Sequence, residues 1–93
     1  MTIVEHEELY LEDGDVVLWP PPNADGKTTL FRVHRSVLAS NSPFFETMFS
    51  LPGDPSVQEI HDSVPVIRVQ DDASLLSLLL LALYQSEYVG TIY

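Results

Sequence analysis

The side chains in this sequence that could do chemistry are three histidines and fourteen acidic residues. His6, His34 and His61 are far apart in the chain and lack the i, i+4 spacing with which two histidines on one helix bind a metal ion. With so many carboxylates nearby, histidine–carboxylate pairs are expected as ordinary structural contacts. We therefore interpret all three histidines as structural and expect no metal ion, no cofactor and no catalytic residue.

Other catalytic motifs are also missing from the sequence. The four glycines are scattered, so they form no phosphate-binding loop, and no serine lies in a G-x-S-x-G motif. The absence of cysteine excludes disulfides and thiolate chemistry and fits a reducing compartment. Paired carboxylates could still serve a small acidic hydrolase, which we keep as the alternative from another functional class. A chain of 93 residues leaves little volume for the pocket that such an enzyme needs.

The charge of the chain narrows the range of partners. Four basic and fourteen acidic residues give a formal net charge of −10 at pH 7. A field of this sign repels nucleic-acid phosphates and anionic membrane surfaces, so we expect neither as a partner. The N-terminus does not resemble a secretory signal, and the longest apolar run, residues 75–84, is shorter than the roughly 20 residues that span a membrane. We expect an intracellular protein, in either the cytoplasm or the nucleus.

Hydrophobic patterning predicts one small α+β domain, in which helices pack against a sheet of about three strands. An acidic lead-in is expected over residues 1–8 and the domain over residues 9–93, which could begin with a short edge strand at residues 9–11. Strands are predicted at residues 16–19, 28–33 and 64–69, and a loop at residues 50–63. Helices are predicted at residues 36–41, from residue 43 to about 49, and from residue 73 to about 84. Ser42 followed by Pro43 is a helix-start signal, and Asp71 or Asp72 is placed to cap the last helix.

Burial is expected to concentrate in one cluster of apolar side chains, namely Phe31, Val33, Val37, Leu38, Phe45, Phe49, Ile67 and Leu79. The last helix is apolar nearly all round. Its predicted sheet-facing stripe is Leu75, Leu76, Leu79, Leu80 and Leu83. Leu78 and Leu81 would then point away from the sheet, and we predict that they belong to an interaction surface that supports self-association.

One block of the sequence resembles the BTB/POZ domain. Family members have an Asp followed by apolar residues, then Phe-x-x-His-Arg/Lys-x-Val/Ile-Leu, Ser-Pro-x-Phe and Met-Phe. The matching residues here are Asp15, Phe31, His34, Arg35, Val37, Leu38, Ser42, Pro43, Phe45, Met48 and Phe49. The resemblance covers roughly residues 9–90, and the block from residue 12 to residue 52 is most similar to BTB-domain proteins of mushroom-forming fungi.

This resemblance implies a non-enzymatic protein–protein interaction module that forms homodimers or binds another protein. At the strand-to-helix corner, the His34 imidazole could satisfy backbone groups and the Arg35 guanidinium could pair with Asp15. Some family members are adaptors that bind a cullin scaffold through a hydrophobic-x-Glu motif. The nearest match is Val57-Gln58-Glu59, which is displaced from the usual place. This motif is the only support for the alternative function, a cullin-type ubiquitin ligase adaptor.

Two departures from the family pattern lie near the C-terminus. The usual Tyr-Thr-Gly after the last strong helix is replaced here by Tyr84-Gln85-Ser86. Family members also normally add at least two more helices beyond this point. We therefore expect the domain to be incomplete at its C-terminus, as a fragment, a truncated gene model or a minimal version.

Overall fold

The computed structural model describes residues 2–50 and 59–89 of the chain. The strands in these residues are β1 (Thr2–Tyr10), β2 (Val16–Trp19), β3 (Lys27–Val33), β4 (Ile60–His61) and β5 (Val64–Arg68). The helices are α1 (Arg35–Asn41), α2 (Pro43–Ser50) and α3 (Ala73–Val89). The predicted α+β class is confirmed, with a mixed sheet and helices packed against it.

The sheet has the strand order β1-β3-β2-β5-β4. The central strand β2 pairs antiparallel with β3 and parallel with β5, while β1 runs parallel to β3 and β4 forms a hairpin with β5. Strand β2 is apolar at every position because both of its faces are covered. Val16 and Leu18 point into the helix-covered core, and Val17 points into a second cluster on the other face.

The described residues form five strands, so the expectation of about three strands was too low. Strand β1 begins at Thr2, and the acidic segment before residue 9 is therefore part of the sheet rather than a solvated lead-in. Most of its side chains are exposed at the sheet edge, which is why the hydrophobic pattern did not reveal it. The two-residue strand β4 lies where the sequence predicted a loop. The turn that follows it, Asp62-Ser63, has positive φ at both residues, as type I′ hairpin loops require.

The core confirms most of the predicted buried residues. Phe31, Val33, Leu38 and Phe45 are buried in the main cluster, where they meet Leu9, Val16, Leu18, Val69, Leu76 and Leu80. Met48, Phe49 and Ile67 are partly buried against the same cluster, and Val37 is half-buried. The prediction was wrong for Leu79, whose side chain is 42% exposed.

The predicted helix-start signals are present in the structure. Helix α2 begins at Pro43, and the Ser42 hydroxyl accepts a long hydrogen bond of 3.5 Å from the Phe45 N–H. Of the two candidate caps for α3, Asp72 is the one used, because its carboxylate accepts a 3.0 Å hydrogen bond from the Leu75 N–H. Helix α3 runs to Val89, further than the sequence predicted.

Candidate protein-interaction surface

Among the α3 side chains that the structure describes, Leu75, Leu78 and Leu79 are large, apolar and exposed, and we call the face that they form the α3 leucine face. These side chains are 60%, 66% and 42% exposed, and Ala82, one turn further on, is exposed beside them. On the opposite side of the helix, Leu76 and Leu80 are fully buried in the core. Helix α3 therefore presents a covered leucine stripe and an uncovered one.

This arrangement corrects the predicted rotation of α3. Leu75 and Leu79 were expected to face the sheet, yet both are exposed. Leu81 was expected to point away from the sheet, yet it is partly buried and packs against the core, as Leu83 does. Leu78 is exposed as predicted. With leucine on almost every side of the helix, the 3.6-residue period could not decide which stripe is buried.

A polar contact joins Tyr84 on α3 to the start of α1. The Tyr84 hydroxyl accepts a 2.9 Å hydrogen bond from the His34 N–H and lies 2.8 Å from His34 Nδ1. On the other side of the ring, Nε2 lies 3.1 Å from the Asp13 carboxylate. The imidazole therefore bridges Tyr84 and Asp13. The imidazole was expected to satisfy backbone groups at this corner, whereas its ring nitrogens contact the side chains of Tyr84 and Asp13.

Asp15 and Arg35 form the ion pair that the sequence predicted. The Asp15 carboxylate accepts a 2.7 Å hydrogen bond from the Arg35 N–H, and its second oxygen lies 3.4 Å from Arg35 Nε. One carboxylate thus satisfies a free backbone donor at the start of α1 and pairs with the guanidinium beside it. Asp15, His34 and Arg35 thus all make contacts at the start of α1.

Glu59 was a candidate interaction residue, and the structure places its carboxylate against Arg68. Arg68 Nε donates to one carboxylate oxygen at 3.0 Å and Nη2 donates to the other at 2.7 Å. These hydrogen bonds lower the pKa of the Glu59 carboxyl and raise the pKa of the Arg68 guanidinium. The guanidinium also lies 4.2 Å from the centroid of the Trp19 ring. The other half of the proposed motif, Val57, lies outside the described residues.

A second apolar feature, missed by the sequence analysis, is an open groove beside Phe44. Phe44 is 64% exposed and lines the groove with Met48 and Val69, over a volume of about 460 Å³. Phe44 and Phe45 are neighbours on α2 and point about 100° apart, so burial of Phe45 leaves Phe44 outside. The two adjacent phenylalanines were therefore the sequence signal that could have predicted an exposed aromatic ring on α2.

The described residues give little support for the alternative of a small acidic hydrolase. An open groove of about 500 Å³ lies between the sheet, the proline loop and α3, and Asp72 is the one carboxylate that lines it. Asp72 already caps α3. His6, also on this groove, accepts hydrogen bonds at Nδ1 from the backbone N–H groups of Glu8 and Leu9. A pair of carboxylates placed for acid–base catalysis is not formed there.

These features define a class of protein: a small α+β domain whose prominent exposed sites are an apolar helix face and an apolar groove, as in protein-interaction domains. A family model described as the BTB/POZ domain matches residues 24–89, more than half of the chain, and the chain therefore belongs to the BTB/POZ domain family. Domains of this family mediate protein–protein interactions and are not typically enzymes. No curated protein and no solved structure shows a significant match to the chain.

Within the described residues, no helix has both the length and the apolar character needed to cross a lipid bilayer.

Proposed function

We propose that this BTB/POZ domain self-associates through the α3 leucine face. The observation that carries the proposal is the grouping of Leu75, Leu78 and Leu79 on one side of a helix whose other side is anchored in the core. A leucine that stays in water forgoes about 1.5–3 kcal/mol of burial. Three such residues on one face form a patch of the kind that marks an interaction site.

The occupant we favour is a second copy of the chain, because a helix face can pair with itself about a two-fold axis. The like charge of two copies opposes this contact, since each carries a formal net charge of −10. The face itself is uncharged, however, and its contact excludes water, so burial of leucine supplies the attraction. Charge then tunes the strength of association rather than deciding whether it occurs.

Sedimentation equilibrium of the wild-type chain and two single variants tests the proposal. Leu78→Glu places a charge in the middle of the leucine face and should weaken association by at least roughly tenfold. Ser36→Glu adds the same charge at an exposed position on α1 and should leave association unchanged. Circular dichroism establishes that both variants fold. Equal loss of association in both variants, or a wild-type chain that stays monomeric at high micromolar concentration, would refute the proposed interface.

The alternative role as a cullin-type adaptor receives no specific support. Its motif requires a glutamate available to a partner, whereas the Glu59 carboxylate accepts hydrogen bonds from Arg68 on both oxygens. A cullin that bound Glu59 would first have to break this ion pair, and that cost would lower the affinity of the complex.

We further infer, from the block of residues 12–52, that the chain is most similar to BTB-domain proteins of mushroom-forming fungi.

A further inference from the structure

Three donor side chains from the two ends of the sheet converge at one corner of the molecule. Glu5 on β1, His61 on β4 and Asp62 in the β4–β5 turn each place a ligand atom within 4.8 Å of the others. Strands β1 and β4 are the two outermost strands in the sheet order, so only the curl of the sheet brings these residues together. The Tyr10 hydroxyl, also on β1, donates a hydrogen bond to the Asp62 carboxylate at the same corner.

The geometry points to a divalent-cation site of the zinc class formed by Glu5, His61 and Asp62. Zinc binds imidazole nitrogen and carboxylate oxygen at about 2.0–2.2 Å, which places neighbouring ligand atoms of a tetrahedral site about 3.4 Å apart. His61 Nε2 and Asp62 Oδ2, the oxygen that accepts the Tyr10 hydrogen bond, are already 3.8 Å apart. Bound zinc would draw the Glu5 and Asp62 carboxylates closer to His61, which would give three protein ligands and leave a fourth position open.

The imidazole of His61 is held in place for this role. Its ring meets Tyr10 edge-on at 6.3 Å and Trp19 edge-on at 6.0 Å, and the side chain is partly buried. Aromatic contacts of this kind restrict the ring and keep Nε2 beside the carboxylates. One imidazole nitrogen with two carboxylate oxygens is a donor set that suits zinc and similar transition metals better than magnesium, which prefers oxygen alone.

The electrostatics of the corner also favour a cation. The Glu5 and Asp62 carboxylates are like charges brought close together, and among the described residues no lysine or arginine is paired with them. Each arginine donates a hydrogen bond elsewhere: Arg32 to the Gly14 carbonyl, Arg35 to Asp15 and Arg68 to Glu59. Lys27, the remaining basic residue, lines a groove with Glu5 but is not ion-paired with it. A bound cation would offset the repulsion between the two carboxylates.

This site differs from the kind that the sequence analysis excluded. From the sequence we expected no metal ion and interpreted all three histidines as structural, and the proposed site departs from that expectation at His61. The expectation relied on the spacing of the histidines, whereas these donors come from distant parts of the chain and include only one histidine. The buried clusters of the core lie elsewhere, so we expect the fold to persist without the metal. Bound metal would link β1 to the β4–β5 hairpin and hold the curl of the sheet closed.

Isothermal titration calorimetry of the metal-free chain with Zn²⁺ provides the test. The wild-type chain should bind one Zn²⁺, and Glu5→Gln and His61→Gln should each weaken binding by at least roughly tenfold. Glu7→Gln is the matched control, because it removes the same charge from the same strand outside the cluster. It should bind as the wild type does. In nitrogen-detected NMR, Zn²⁺ should shift the His61 Nε2 resonance while His6 and His34 stay unchanged.

Several results would overturn this site. Equal weakening by Glu7→Gln and Glu5→Gln would mean that Zn²⁺ responds only to the overall negative charge. If Mg²⁺ bound as tightly as Zn²⁺, His61 would not be a ligand, because magnesium prefers oxygen alone. If Zn²⁺ binding did not saturate, there would be no defined site. Because Glu5 is exposed, its variant should remain folded, and circular dichroism establishes this before titration.

Discussion

Phe45 shows how strongly one side chain can matter in a domain of this size. It is only 3% exposed, and its ring stacks against Phe49 at a centroid distance of 5.9 Å. Replacing a buried phenylalanine with alanine costs about 3–5 kcal/mol. This is comparable to the whole stability of a small domain, about 5 kcal/mol or somewhat more. Phe45→Ala should therefore leave little folded protein in a thermal or urea unfolding experiment.

The neighbouring Phe44 provides a matched control for this prediction. Phe44→Ala removes the same ring from a 64% exposed position on the same helix, and its effect on the free energy of unfolding should be below about 1 kcal/mol. Equal destabilisation by the two variants would show that the assignment of buried and exposed rings on α2 is wrong.

Because of Tyr10, the free energy of unfolding should depend on pH in the alkaline range. Burial, and then the hydrogen bond to Asp62, raises the pKa of the Tyr10 phenol well above its ordinary value of 10.0. A group with a raised folded-state pKa contributes its full stabilisation below the unfolded-state pKa and loses it as the pH rises towards the folded-state value. The free energy of unfolding should therefore fall above about pH 10.

Urea unfolding of the wild type and Tyr10→Phe at several pH values between 7 and 11 checks this expectation. The variant lacks the titrating phenol, so its stability should decline less steeply above pH 10. Parallel curves for the two proteins would mean that Tyr10 contributes nothing to the pH dependence.

At the scale of elements, the Tyr84 hydroxyl adds a polar contact to the apolar packing that docks α3 on the core. Tyr84→Phe keeps the ring but leaves the His34 N–H and Nδ1 without the partner seen at 2.9 and 2.8 Å. Leaving buried or half-buried polar groups unsatisfied costs about 1–3 kcal/mol. We expect a loss of this size in the free energy of unfolding, measured by urea denaturation.

A double-mutant cycle supplies the control for Tyr84. Combining Tyr84→Phe with His34→Ala should cost less than the sum of the two single changes, because the variants remove the same contact. Strict additivity would show that the hydroxyl and the imidazole do not cooperate in positioning α3.

The sequence predicted those elements whose signals are local. Ser42 and Pro43 predicted the start of α2, and Asp72 was one of two predicted caps of α3. The apolar run at β2 predicted a strand covered on both faces. The edge strand β1 and the exposed stripe of α3 were not predictable in this way. Strand β1 depends on pairing with β3 across more than twenty residues, and the rotation of α3 depends on tertiary packing, including the contact between Tyr84 and His34.

The candidate interaction surface was predicted only in part for the same reason. The exposure of Leu78 was predicted because α3 has more leucines than a single face can bury. Leu79 was expected to be buried and is exposed, whereas Leu81 was expected to be exposed and packs against the core. The corner formed by Glu5, His61 and Asp62 had no sequence signal, since a curled sheet brings together residues that no spacing rule connects.

At the scale of the whole molecule, charge and apolar surface oppose each other. Two copies with a formal net charge of −10 repel, and salt screens that repulsion beyond a Debye length of about 8 Å at physiological ionic strength. Contact through the α3 leucine face should therefore tighten as salt is added. Sedimentation at about 0.02 M and 0.5 M sodium chloride measures the change. An association that weakens with salt would indicate an interface held by ion pairs instead.

The chain contains one tryptophan, and its position gives the molecule a built-in optical probe. Trp19 lies at the end of β2, beneath the Arg68 guanidinium and edge-on to the His61 ring. Its fluorescence emission therefore reports the corner where the β4–β5 hairpin meets the sheet. Zn²⁺ binding at His61 should alter the intensity of the Trp19 emission, whereas unfolding of β2 should shift the emission wavelength to the red. Binding and unfolding can therefore be followed separately in one unlabelled sample.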